Sequence, residues 1–106
     1  MTPEAKTKKK VKDILDAAGV YHFNPFGGGY GRAGIPDIIA CVNGFFLAIE
    51  CKAGKGTTTA LQDRELENIR AAGGEAWIIY DTDDAMRVLR TVVQELQALK
   101  ARRGAK

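Results

Sequence analysis

The sequence predicts an α/β fold in which a mixed β-sheet is flanked by helices, with the order α-β-β-β-α-β-α. Three observations support this prediction. Apolar residues recur at helical spacing near the start, in the middle and at the end of the chain. Short apolar runs of strand length lie between these segments. An Asn-Gly pair joins two of the runs, and this dipeptide is the strongest short-range sign of a β-hairpin.

The composition is that of one globular domain spanning residues 1–106, with 45% hydrophobic and 27% charged residues. No apolar run approaches the roughly 20 residues that cross a bilayer, and no signal-peptide core follows the lysine-rich start. We therefore expect an intracellular protein of the cytoplasm or nucleoid, encoded by a cell or a virus. Cys41 and Cys51 are expected on opposite faces of the predicted hairpin, where they form neither a disulfide nor a zinc site.

The net charge of +3 is unevenly distributed along the chain. Five lysines lie within residues 1–12 and four basic residues within 100–106, whereas residues 13–99 hold seven basic and twelve acidic side chains. Basic ends around an acidic centre suit a polyanion partner such as nucleic acid, together with a cation-binding site. The same lysines could also serve only as solubilising surface charge, and composition alone leaves both interpretations open.

The first helix is expected to begin at Thr2-Pro3-Glu4, with Thr2 as the N-cap and Pro3 in the first helical position. Apolar residues follow at helical spacing, and Gly19 ends the helix. Glu4 falls on the apolar stripe, so its carboxylate points toward the protein and needs a partner there. A short strand is expected over residues 20–24; its histidine, His22, is interpreted as structural or exposed.

A glycine-rich segment, GGGYGR at residues 27–32, follows this strand. Backbone N–H groups of such a segment can approach a phosphate. The segment lacks the lysine and hydroxyl residue of a P-loop and precedes no helix, so nucleotide binding is a weak hypothesis. We interpret it as a connection in which Arg32 and Tyr30 are available to a nucleic acid backbone.

The most informative segment is the predicted hairpin, formed by residues 38–42 and 45–49 around an Asn-Gly turn of type I′. Both runs are apolar on both faces, so we expect other structure to cover each side. A two-residue turn places Asp37 opposite Glu50, with Cβ atoms about 5 Å apart. Lys52 projects from the same face because it lies two residues beyond Glu50.

Two carboxylates opposed at the edge of an apolar hairpin repel each other, and one of them would have to take up a proton if left alone. A divalent cation removes this conflict, since Mg²⁺ prefers oxygen ligands and keeps water in its remaining positions. Lys52 can hold a water molecule or a phosphate oxygen and stabilise developing charge. A metal, an acidic pair and a lysine together suit the hydrolysis of a phosphodiester.

The remaining elements are a helix over about residues 60–72, a buried strand over 75–80 and a final helix beginning at Asp81. The first of these helices carries one polar residue, Gln62, on its inward stripe. Three aromatic residues are interpreted as core: Phe45, Phe46 and Trp77. The apolar face of the final helix is expected to comprise Met86, Leu89, Val92, Val93, Leu96 and Leu99.

The acidic pair and the lysine could instead be ordinary solvated strand ends, because Glu-x-Lys is common by chance. Two further residues count against that interpretation. Glu4 and Gln62 belong to separate helices, and each is the polar exception on an apolar stripe.

Four segments resemble the VRR-NUC family of PD-(D/E)xK nucleases in its stand-alone, minimal form: Gly34-Ile35-Pro36-Asp37, Glu50-Cys51-Lys52, Leu61-Gln62 and residues 69–74 (IRAAGG). The likeness covers most of the chain. It implies a restriction-endonuclease-like core and an Mg²⁺- or Mn²⁺-dependent deoxyribonuclease.

The resemblance also implies a role for each site residue. Asp37 and Glu50 would be metal ligands together with the backbone carbonyl of Cys51, and Glu4 would complete the centre through water. Lys52 would position or polarise the attacking water, and Gln62 would order the lysine. Stand-alone members look like homodimers that act on branched DNA such as four-way (Holliday) junctions, as in DNA repair.

Basic residues close to these segments are the expected nucleic-acid contacts: Lys8, Lys9, Arg32 and Lys55. Two functions from different classes stay open. The chain is either a structure-selective, metal-dependent endonuclease that hydrolyses DNA phosphodiester bonds or a non-catalytic nucleic-acid-binding module. The complete set of site residues favours the enzyme, because a binding module gains nothing from opposed carboxylates.

Overall fold

A computed structural model of the chain describes residues 1–25, 33–54 and 56–100. Its elements are α1 (Pro3–Ala17), β1 (Tyr21–Phe23), β2 (Ile38–Val42), β3 (Phe45–Cys51), α2 (Ala60–Ala71), β4 (Glu75–Ile79), α3 (Thr82–Asp84), a π-helical turn (Ala85–Leu89) and α4 (Arg90–Ala98). The last three follow one another without a break and together form the C-terminal helical segment. The predicted order of helices and strands is therefore confirmed.

The described strands form a mixed sheet in the order β1-β2-β3-β4, in which only β3 and β4 run parallel. The predicted hairpin register is confirmed, since Val42 pairs with Phe45 and Ile38 with Ile49. The turn between them has positive φ at both Asn43 (55°) and Gly44 (86°), as a type I′ turn requires. This turn fixes which side chains of β2 and β3 meet across the hairpin.

Helices cover the two faces of the sheet unequally. On one face, α1 and the C-terminal helical segment enclose the main core, which includes Val11, Leu15, Leu47 and Leu89. On the other face, α2 places Leu66 over Ala48 of β3 and Ala76 of β4. No helix in the described residues is both long and apolar enough to cross a membrane.

The expectation that both faces of the hairpin are covered was wrong near its turn. Phe46 is 46% exposed, because α2 packs over Ala48, Ala76 and Ile39 and leaves the part of this face beside the turn and on β1 open. The assignment of Phe46 to the core was therefore also wrong. The two cysteines are free, with Cys41 exposed on this face and Cys51 buried.

Three further apolar assignments were wrong, one on β4 and two in the C-terminal helical segment. Trp77 is 37% exposed, since it lies on the edge strand β4 and its indole N–H donates to Glu75 at 3.0 Å. Met86 is exposed because it lies in the π-helical turn, whose wider winding changes the phase of the predicted stripe. Leu99 is exposed because α4 ends at Ala98. The other members of the predicted stripe are buried, and Phe45 packs against the core.

Gly34 brings the segment before β2 against the first turn of α2. Its φ is +79°, and a Cβ built there would lie 2.5 Å from the carbonyl oxygen of Leu61. Only glycine permits both this backbone conformation and this distance. The contact therefore fixes the start of α2 relative to Asp37, three residues further along the chain.

We expect Gly34→Ala to lower the free energy of unfolding by more than Gly19→Ala does. Both changes put a side chain at positive φ, which costs about 1–2 kcal/mol. Only the change at residue 34 also creates a clash, because a Cβ at Gly19 (φ +70°) meets nothing within 4 Å among the described residues. Denaturant unfolding of both variants measures the difference, and equal losses would mean that the contact with α2 adds nothing to stability.

Candidate active site

The predicted site residues lie where the entrance of β2 and the end of β3 meet the first turns of two helices. Asp37 directly precedes β2, and Glu50 is the penultimate residue of β3. Lys52 follows β3, whereas Glu4 and Gln62 lie in the first turns of α1 and α2. The hairpin register carries the two carboxylates to neighbouring positions on the face of the sheet that α2 covers.

Asp37 is held by a dense set of partners. Its Oδ2 accepts the backbone N–H of Cys51 at 2.8 Å, and its Oδ1 lies 3.4 Å from Nζ of Lys8. Its backbone carbonyl accepts a hydrogen bond from Nδ2 of Asn24 at 3.1 Å. Burial alone would raise the pKa of Asp37, but a hydrogen bond with Glu50, the Cys51 N–H and Lys8 together hold the pKa below its usual value. Asp37 is therefore the ionised member of the acidic pair.

Glu50 is in the opposite situation. It is 1% exposed, and its Oε2 is buried with no hydrogen-bond partner among the described residues. Burial, followed by the hydrogen bond and the charge of Asp37, raises the pKa of Glu50 to about 8, against the opposing effect of Lys52. The conflict between opposed carboxylates that the register predicted is thus present, and without a metal ion it is resolved by keeping Glu50 protonated.

Lys52 is anchored to the start of α2. Its Nζ donates to Oε1 of Gln62 at 2.9 Å, and the same oxygen accepts the backbone N–H of Thr59 at 2.9 Å. The Thr59 hydroxyl in turn accepts the Gln62 backbone N–H at 3.1 Å, which completes a capping box. One amide oxygen therefore both caps the helix and positions the lysine.

Glu4 finds the partner that its place on the apolar stripe required. Its Oε2 lies 3.5 Å from Nζ of Lys8, and the same ammonium reaches Asp37. Burial alone would lower the pKa of Lys8, but the charges of Asp37 and Glu4 outweigh it and raise the pKa above its usual value. Lys8 thus belongs to the acidic centre and is not a surface lysine like Lys9, which pairs with Asp13 at 3.0 Å.

The donor set fits a hard divalent cation. The carboxyl group of Glu50 is hydrogen-bonded to that of Asp37, and its Oε2 has no partner among the described residues, so a cation bound to both groups would satisfy them. The described residues contain no group of three or more Asp, Glu, His or Cys side chains able to hold an ion. The rest of the coordination shell would therefore come from backbone and water, as is usual for Mg²⁺. The thiol of Cys51 is an unsuitable ligand, because burial and nearby Asp37 raise its pKa to about 12.

Sequence reasoning missed two supporting residues, Thr59 and Asn24, and it assigned Lys8 to the nucleic-acid contacts without placing it beside Asp37. Thr59 could have been found from the Thr-x-x-Gln pattern of a capping box, and the place of Lys8 from its position four residues after Glu4. The bond from Asn24 to the carbonyl of Asp37 has no local sequence signal, because the residues lie far apart in the chain. Arg32, Lys55 and the GGGYGR segment, predicted to face nucleic acid, fall outside the described residues.

The sequence and the fold both have counterparts among known proteins. The model of a family described as archaeal Holliday junction resolvase (Hjc) matches residues 5–103. A solved structure named VRR_NUC domain is 22% identical with a TM-score of 0.74, covering 84% of this chain and 96% of its own. A VRR_NUC domain protein is 19% identical with a TM-score of 0.66, covering 91% and 88% of the two chains.

A third similar structure, Archaeoglobus fulgidus Hjc, is described as a Holliday junction resolvase from an archaeal hyperthermophile. It is 26% identical with a TM-score of 0.57, and the match covers 73% of this chain and 67% of that one. No curated protein matches the sequence significantly. The resemblance to VRR-NUC nucleases that the motifs indicated is confirmed.

Without metal, the Glu50→Gln variant is expected to be more stable than the unmodified protein, by an amount that increases with pH. Because the folded-state pKa of Glu50 is about 8 against a usual 4.5, the unmodified protein loses stability as the pH rises from about 4.5 to about 8. The neutral amide avoids this loss. We expect equal melting temperatures near pH 4.5 and a difference of several degrees by pH 8. Thermal unfolding in EDTA from pH 4.5 to pH 8 measures the difference in melting temperature between the two proteins. A difference that does not change with pH would contradict the statement that Glu50 is kept protonated by burial and by Asp37.

Proposed function

This chain belongs to the family of archaeal Holliday junction resolvases, and on that premise we propose that it is a divalent-metal-dependent endonuclease that hydrolyses phosphodiester bonds in branched DNA such as four-way junctions. The observation that carries the proposal is the buried carboxyl group of Glu50. It is hydrogen-bonded to the ionised carboxylate of Asp37, and its Oε2 has no partner among the described residues. A module that only binds DNA has no use for this arrangement, which costs stability.

The metal would be Mg²⁺ or Mn²⁺, held by Asp37, Glu50 and the backbone carbonyl of Cys51. When bound, it supplies Lewis-acid activation of the scissile phosphate and of water. Lys52, held at 2.9 Å by Gln62, presents a fixed ammonium that orients the attacking water and stabilises charge on the phosphate. Glu4 lies beyond Lys8 at the edge of the centre, where it can accept a hydrogen bond from water.

The proposed DNA contacts are four basic residues close to the site residues in the sequence. Lys8 and Lys9 lie on consecutive positions of α1, and Arg32 and Lys55 belong to segments that precede Asp37 and follow Lys52 in the chain. Such lysines and arginines bind phosphate without reading sequence. Selection among DNA structures would then follow from the shape of the branch.

Metal-dependent cleavage tests this proposal. The unmodified protein is expected to cut a four-way junction in Mg²⁺ or Mn²⁺ and not in EDTA, with linear and flapped duplexes for comparison. Asp37→Asn and Lys52→Met should each lower the rate at least about a hundredfold, because each removes a group that acts on the reacting atoms. Asp16→Asn is the matched control, since Asp16 pairs with His22 away from the centre.

Binding of the junction without cleavage in any of these metals would favour the alternative of a non-catalytic nucleic-acid-binding module. Cleavage by Asp37→Asn at the rate of the unmodified protein would overturn the assignment of the centre. Equal rates on linear and branched DNA would leave a nuclease but remove the selectivity for branches.

The proposal includes a homodimer. The open part of the sheet face carries a row of cross-strand neighbours in which Tyr21 pairs with Cys41 and Cys41 with Phe46. Tyr21 is 70% exposed, and its ring lies 6.1 Å from that of Phe23 on the same face. An uncharged apolar surface can pack against a copy of itself without burying an unpaired charge. Two copies would supply the two centres that symmetric cleavage of a four-way junction needs.

We expect the protein to sediment as a dimer at micromolar concentration and Phe46→Lys to shift it to a monomer, because a lysine in this row would bury a charge. Met86→Lys is the matched control, as Met86 is an exposed apolar residue on the C-terminal helical segment. Sedimentation equilibrium measures the mass. A monomeric unmodified protein, or a Phe46→Lys variant that remains dimeric, would count against this interface.

A further inference from the structure

Lys8 occupies an unusual place for a lysine in a helix rich in basic residues. Its ammonium lies between two carboxylates, 3.4 Å from Oδ1 of Asp37 and 3.5 Å from Oε2 of Glu4. Only a third of its side chain is exposed, against 63% for Lys9, the next residue. Lys8 is thus directed into the centre, whereas its neighbour lies on the surface.

The two lysines of the centre are held in different ways. Lys52 donates to the neutral amide oxygen of Gln62, which is not one of the proposed metal ligands. Lys8 is held by Asp37, which is one of the proposed metal ligands. Oδ2 of Asp37 accepts the Cys51 N–H and Oδ1 lies beside Lys8, so a cation that binds Oδ1 must share that oxygen with the ammonium.

We propose that Lys8 is an internal counter-ion of Asp37 that the divalent metal displaces, and that the displaced ammonium then binds a phosphate group of the DNA. This inference rests on the proposed function. It adds a link between two binding events, because the residue that weakens metal binding in the free protein strengthens DNA binding once the metal is present.

The physical argument is one of competition between cations. An ammonium and a dication that share one carboxylate oxygen repel each other strongly at the distances involved, and burial weakens the screening by water. Mg²⁺ lies about 2.1 Å from its oxygen ligands. The Lys8 ammonium lies 3.4 Å from Oδ1 of Asp37, so the metal would make the closer contact. The four-carbon stem of lysine can then redirect the ammonium, and a phosphate is the nearest anion that the proposed substrate offers.

Metal affinity without DNA is the first test. Mn²⁺ binding is measured by titration calorimetry for the unmodified protein, Lys8→Met and Lys9→Met. We expect Lys8→Met to bind Mn²⁺ about fivefold or more tightly than the unmodified protein. Lys9→Met should bind as the unmodified protein does, because Lys9 pairs with Asp13 outside the centre. If Lys8→Met does not fold without metal, Lys8→Gln provides the same loss of charge with a polar side chain.

The second test uses DNA and saturating Ca²⁺, a cation chosen to fill the site without supporting rapid cleavage. With the site filled in every variant, Lys8→Met should bind a four-way junction more weakly than Lys12→Met, although both remove one positive charge from α1 and Lys12 is not among the proposed DNA contacts. Fluorescence anisotropy at fixed salt measures both dissociation constants.

The outcomes distinguish a failure of the proposed metal centre from a failure of the proposed role of Lys8. An unmodified protein that binds no Mn²⁺ would overturn the proposed metal centre. Normal Mn²⁺ binding with unchanged or weaker affinity in Lys8→Met would overturn the displacement of Lys8 alone. Tighter metal binding combined with equal DNA affinities of Lys8→Met and Lys12→Met would overturn its transfer to phosphate.

Discussion

The Asn43-Gly44 turn sets the register of the central hairpin, and that register places Asp37 against Glu50. Most of the centre can be understood as a response to the resulting repulsion. Glu50 keeps its proton, and Asp37 gathers the Cys51 N–H and the ammonium of Lys8. The fold thus maintains an unfavourable pair at the edge of its best-packed strands, which is the kind of local cost that functional sites retain.

Two helices contribute to this pair from their N-terminal ends, and their contributions differ in kind. α1 supplies charge through Glu4 and Lys8, whereas α2 supplies order through Gln62. The start of a helix suits the second task, because its free N–H groups require side-chain caps, and the Gln62 cap of α2 also holds Lys52. The sheet gives the carboxylates their positions, and the helices determine how those carboxylates are neutralised and which lysine faces them.

The sequence predicted the features that depend on local rules. An Asn-Gly pair specifies its turn, the turn specifies the register, and helical phase placed Glu4 and Gln62 on the inward side. Features that depend on how far one element covers another were not accessible. The apolar character of Phe46 and Trp77 gave no sign that α2 leaves the turn end of its face of the sheet open or that β4 forms an edge. Nor could the spacing of apolar residues reveal the π-helical turn, because that turn changes the period on which the prediction relied.

The oxygen of Gln62 serves the helix cap and Lys52 at once, so local helix stability and the order of the centre share one atom. Any substitution that frays the first turn of α2 would also release the lysine, even when the altered residue is remote from the reacting atoms. Selection for activity would therefore act on capping residues as strongly as on charged ones. During evolution, residues 59–62 should therefore change more slowly than their solvent exposure suggests. The Thr-x-x-Gln pattern should be kept or lost as a whole.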